Sequence, residues 1–136
     1  MTENNFEQDH VKTGLGYLAI FVLAYLFIAH GIKAIVLSPG FLGLVMEFGF
    51  GITFAKISLF AVGVIDIAVA VALFVYKKPL VFIYAGLWPL VPTFMTLFAY
   101  GVFFWQEMLI APLMGVLAYW AFIGFKAKTK KQKVKT

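Results

Sequence analysis

Asp66 stands inside GVIDIAVAVALFV, a run from Gly63 to Val75 in which it alone is charged. A carboxylate among side chains that all prefer oil to water is costly. Such residues usually face a bundle interior, pair with another polar group, and mark proton or substrate paths. Four further sets of groups could join it. His30 and Lys33 are three residues apart and so share a helical face. Thr93, Thr96 and Tyr100 fall on one face of another apolar run, after Pro89 and Pro92, which leave carbonyls without their usual donors. Glu107 heads a stripe with Ala111, Gly115 and Ala118 at helical spacing. Gly63 and Ala70 flank Asp66 on its own face and admit a neighbouring helix.

Two kinds of chemistry fit these types. Asp66 and His30 can reach each other and form a proton relay. His30, Lys33, Thr96 and Tyr100 can donate to a polar head group in an apolar cleft. Each has a plainer alternative. Asp66 can be a structural carboxylate, held by His30, Lys33 or a span-three threonine. His30 alone can be a satisfied core histidine. Lys33 and Glu107 match in depth and opposite charge, yet both can snorkel to the interface, and for Glu107 that is the expectation. No catalytic residue is assigned, which leaves open whether the chain is an enzyme. Cysteine is absent, so thiolate metal sites and disulfides are excluded. The spans hold no second histidine, so no metal site is expected. There is no phosphate-binding glycine loop and no nucleophile triad. Trp88, Trp105 and Trp120, with Tyr17, Tyr76, Tyr84 and Tyr119, read as membrane-belt and packing residues.

The elements that must position these groups follow from composition. Of 136 residues, 63% are hydrophobic and 12% charged, and the mean hydropathy is +0.98. Soluble domains are about 25% charged, so this chain has too little polar surface to cover a water-soluble globule. A membrane helix needs roughly 20 apolar residues. Four runs qualify, at 14–37, 57–76, 80–100 and 103–125, and they imply an all-α, integral membrane, antiparallel four-helix bundle in one domain. Residues 1–13 form a leader, 38–56 an interfacial loop and 126–136 a lysine-rich tail. The leader carries Glu3, Glu7 and Asp9, and the first apolar run is too long for a cleaved signal peptide.

All eleven cationic residues are lysines. Lys12, Lys77, Lys78 and the six from Lys126 to Lys135 fall on the side of the termini; Lys56, with Lys33 near the end of span one, lies opposite. The positive-inside rule places both termini in the cytoplasm, with the polar groups in the outer half of the bundle. These lysines flank apolar runs rather than alternate with exposed aromatics, so nucleic acid is not an expected partner. Membrane lipids are. The tail is expected to be a topology anchor and solvated segment.

At AHGIKAI and GVIDIAVAVALFV the chain resembles the DoxX-like (DoxX/DoxD) small membrane proteins, which are four-helix bundles. Their first span ends in a glycine closely followed by lysine, matched by Gly31 and Lys33. Their second opens on a Gly-x-x-acid signature, matched by Gly63 and Asp66. One residue separates Gly31 from Lys33 where the family usually has two, and the acid is Asp rather than the more usual Glu. The resemblance implies a bacterial plasma-membrane component of a redox assembly, carrying over Lys33 and Asp66 as site residues. It also implies redox subunits as partners and a quinone as a ligand, with no cofactor held by the chain itself. Two other classes remain: a small proton- or ion-coupled transporter or channel, which would use Asp66 and could need a homo-oligomer, and a structural or assembly subunit.

Overall fold

The computed structural model describes the backbone of residues 3–102 and 104–134, and side chains for 7–102, 104 and 107–124. Six helices make it up: α1 (Glu3–Ile35), α2 (Pro39–Glu47), α3 (Ile52–Val75), α4 (Pro79–Leu87), α5 (Leu90–Tyr100) and α6 (Trp105–Val134). There is no strand among the described residues. Four segments are long and apolar enough to cross a membrane: Glu7–Ile35, Ile52–Val75, Pro79–Tyr100 and Glu107–Gly124. The chain is therefore an all-α, antiparallel four-span bundle, and short connections make its successive spans run in opposite directions.

The boundaries differ from the sequence reading in four places, each with a local cause. First, α1 begins at Glu3, well before the apolar run, and stops at Ile35. The chain reverses there because Leu37 adopts a left-handed backbone (φ 54°). The amides of Leu37 and Ser38 then bond back to the carbonyls of Ala34 and Lys33 at 3.1 and 3.0 Å. Second, the segment expected as an interfacial loop contains α2. Pro39 breaks α1 but also starts a helix, since a proline at the first position gives up no intrahelical bond. Leu44 anchors that helix by burial, and Gly49 at φ 84° turns the chain into α3, which starts at Ile52 rather than 57. Third, span three is two helices meeting at Trp88 and Pro89. Proline has no amide hydrogen to continue the ladder, so α4 ends before it. Fourth, the backbone of α6 stays helical through the tail to Val134; the lysine side chains there, and that of Trp105, lie outside the described residues.

In a bilayer, lipid tails are as apolar as leucine, so helices associate through close packing and interhelical hydrogen bonds rather than the hydrophobic effect. Small residues set the crossings. A methyl added at Gly31 would come within 2.9 Å of the Gly63 carbonyl, and one at Gly63 within 2.7 Å of the Gly31 carbonyl. The α1 and α3 backbones therefore touch. On the other side of the bundle, a methyl at Gly115 would stand 2.9 Å from the Gly86 Cα, which joins α6 to α4. Gly16 meets Ala121 and Phe122 and joins α1 to α6. Between these crossings Ile20, Leu23, Leu73 and Phe82 fill a core with Ala19, Ala85 and Ala118. Large apolar side chains point outward, among them Leu80 (76% exposed) and Phe98 (79%), as lipid-facing residues would.

Candidate intramembrane polar site

The crossing of Gly31 over Gly63 decides where the polar groups lie. His30 precedes the first glycine and Asp66 follows the second by three residues, or nearly one turn. Both side chains are therefore delivered to the interior beside the same contact. Asp66 is 4% exposed, and its charge and that of His30 are close enough to interact.

The partner of Asp66 is not one of those expected. The indole Nε1–H of Trp88 donates to its Oδ1 at 3.1 Å. Sequence spacing predicts His30, Lys33 or a span-three threonine as partner and a belt position for Trp88. The cause of the difference is the break before Pro89. As the cap that follows α4, Trp88 turns inward and stacks on Tyr84, with centroids 5.6 Å apart and rings 12° from parallel. The threonines are already engaged. Thr93, buried, donates to the Pro89 carbonyl at 2.9 Å, and Thr96 donates to the Pro92 carbonyl at 2.8 Å. Such bonds to the carbonyl four residues back are a common resting state for a hydroxyl within a helix.

A second pair lies further toward α2. His30 Nε2 approaches Glu107 Oε1 at 3.7 Å, with the two side chains 17% and 37% exposed. Glu107 was expected to snorkel and to match Lys33. It instead reaches His30 at the start of α6. Lys33 is exposed, yet its charge still acts on Glu107. The edge of the His30 ring also meets Phe41 of α2, at 5.9 Å and 87° between planes. Thus α2 reaches the His30 side of this pair. Tyr100 is 48% exposed and stays apart from the cluster; its hydroxyl sits against α2, 3.4 Å from where a methyl on Gly43 would stand.

Of the six residues singled out from sequence, the structure brings His30, Asp66 and Glu107 into one electrostatic group, with Lys33 at its edge. Thr96 and Tyr100 remain outside it. Sequence reasoning missed Trp88. The available signal was its place directly before Pro89, where a helix end frees a large side chain to turn. No metal-binding cluster of three or more His, Cys, Asp or Glu occurs among the described residues. An apolar groove of about 390 Å³ opens between α4 and α6, lined by Phe82, Gly86, Leu87, Pro112, Gly115 and Tyr119 among others, and it reaches the residue next to Trp88.

No family model, curated protein or solved structure matches this chain.

Proposed function

We propose that the chain is a DoxX-like multi-pass protein of the bacterial plasma membrane. In this reading the polar cluster beneath α2 holds the head group of a quinone or a lipid, as an accessory subunit of a membrane redox assembly. One observation supports the reading above the others: His30, Asp66 and Glu107 come from three different spans and meet in one place. Charges that merely snorkelled would scatter around the rim instead. The groove between α4 and α6 suits the hydrocarbon tail of the same molecule, since it is apolar and runs to Leu87. The lysine asymmetry supports cytoplasmic termini, and so a site that opens toward the outer side. A redox role would need a partner subunit or a bound cofactor to carry the electrons.

The test is equilibrium binding of a short-tailed ubiquinone analogue to the purified chain in nanodiscs, with anionic lipid as competitor. Asp66→Asn and His30→Phe should each weaken binding by about tenfold, the equivalent of about 1.4 kcal/mol, while the amount of protein in the membrane is unchanged. Competition by lipid alone would assign the site to a lipid head group. Equal affinity for all three proteins would refute the reading.

A further inference from the structure

We propose that Asp66 exchanges protons with one face of the membrane only, the α2 face, through His30 and Glu107. The opposite half of the bundle, toward the termini, is then a proton barrier.

The open side is a graded chain of groups. Asp66 lies deep (4% exposed), His30 is intermediate, and Glu107, the first residue of its span, is 37% exposed at its side chain. His30 stands between the two carboxylates, beside the Gly31–Gly63 crossing that also positions Asp66 and 3.7 Å from Glu107. His30 can accept a proton on one ring nitrogen while releasing one from the other, which is the property a shuttle needs. The 3.7 Å between His30 and Glu107 exceeds hydrogen-bond length, and a small side-chain motion or one water closes it.

On the closed side, the described residues offer Asp66 one nearby titratable group, the half-buried Tyr84 phenol of α4, which stacks on Trp88; no chain of such groups leads on from it toward the termini. Beyond Asp66, α3 carries no other ionisable residue, and Tyr76, which follows its last residue, is 57% exposed. Between Lys12 and His30, α1 has only Tyr17 and Tyr25; Tyr25 is turned outward, and Tyr17 lies against Phe122 of α6 with Lys77 over its ring, at the terminus end of the bundle. On α6, residues 108–124 add only Tyr119, also exposed. What fills the space instead is Leu23, Phe27, Ala70, Leu73 and Phe82, all buried. Around Asp66 itself, the facing groups are His30 from α1, and Tyr84 and Trp88 from α4. Among the described residues, α2 and α5 contribute no charge that acts on it. A carboxyl with a path to one side alone cannot carry protons across the membrane. It can take them up from, or return them to, that one side.

This goes beyond head-group binding and is measured on the ligand-free chain, so either reading can fail without the other. Trp88 is the reporter, because its N–H is bonded to the group being titrated. In a Trp105→Phe/Trp120→Phe background its emission is isolated. The full chain is reconstituted and the vesicles are sorted on a C-terminal tag into tag-in and tag-out populations. A pH step in the medium should change Trp88 emission within the mixing time for tag-in vesicles, whose α2 face meets the medium. Tag-out vesicles should respond only after a protonophore is added. Asp66→Asn should abolish the response, and His30→Phe should slow it by roughly a hundredfold, the scale of a positioned acid–base group. Should the double substitution fail to fold, infrared spectroscopy of the wild-type Asp66 carboxyl band, assigned by its loss in Asp66→Asn, gives the same sided readout. Equal fast responses from both faces, no response from either, or an unchanged rate in His30→Phe would overturn the proposal.

Discussion

Span two has two very different neighbours. Against α1 it packs backbone to backbone, because Gly31 and Gly63 leave no side chain between them. Against α4 it packs lightly, and the Trp88 indole bridges the gap to Asp66. The difference shows two ways to hold helices together where no water can be expelled. Where backbones touch, dispersion over many small contacts suffices. Where they stay apart, one directed polar bond links them. The first seam tolerates no added atoms. The second tolerates added volume better but depends on a single acceptor.

Three substitutions separate these mechanisms. The largest effect is expected from Gly63→Leu, since even a methyl there would lie 2.6 Å from Ile35 Cγ1. Overpacking of this kind costs about 1–3 kcal/mol, and more where backbone obstructs. Membrane abundance and the unfolding midpoint in denaturing detergent should both fall sharply. Next comes Asp66→Leu, which strands the Trp88 N–H in an apolar interior at a cost of about 1–3 kcal/mol. Asp66→Asn should lose less, because an amide oxygen can still accept. A double-mutant cycle with Trp88→Phe should return a coupling of about 1 kcal/mol; zero coupling would mean that the polar seam holds nothing. The smallest effect belongs to Glu107→Gln. Its pair with His30 is long and partly exposed, so the same unfolding assay should move by less than about 1 kcal/mol. A larger loss from Glu107→Gln than from Asp66→Leu would invert the comparison and move the structural burden outward to the α2 edge.

The legible parts of this fold were those governed by hydropathy and length. Four spans, a buried Asp66 and the inward-facing Gly63 and Ala70 all follow from the cost of exposing the wrong groups to lipid. What escaped depended on geometry that a linear pattern does not carry. Pro39 can end one helix or begin another, and only the burial of Leu44 shows that it does both. Trp88 and Thr93 are both polar groups near Pro89, and the choice of partner for Asp66 turned on which one already had a bond. Thr93 had one within its own helix. The pairing of His30 with Glu107, rather than Lys33 with Glu107, needed the crossing of α1 and α6, and sequence spacing alone is silent on crossings.

The broken third span also gives the bundle a mechanical asymmetry. Its first half, α4, is clamped to α6 where Gly86 meets Gly115. Its second half, α5, is an arm of 11 residues, about 16 Å long at 1.5 Å per residue. The pivot is at Trp88 and Pro89, the point held by Asp66, and the far end rests on α2 where Tyr100 meets Gly43. A tilt of about 10° at that pivot would carry the tip by about 3 Å, given the length of the arm. The fold is thus built with the geometry of a lever, its fulcrum at one buried carboxylate and its tip against α2.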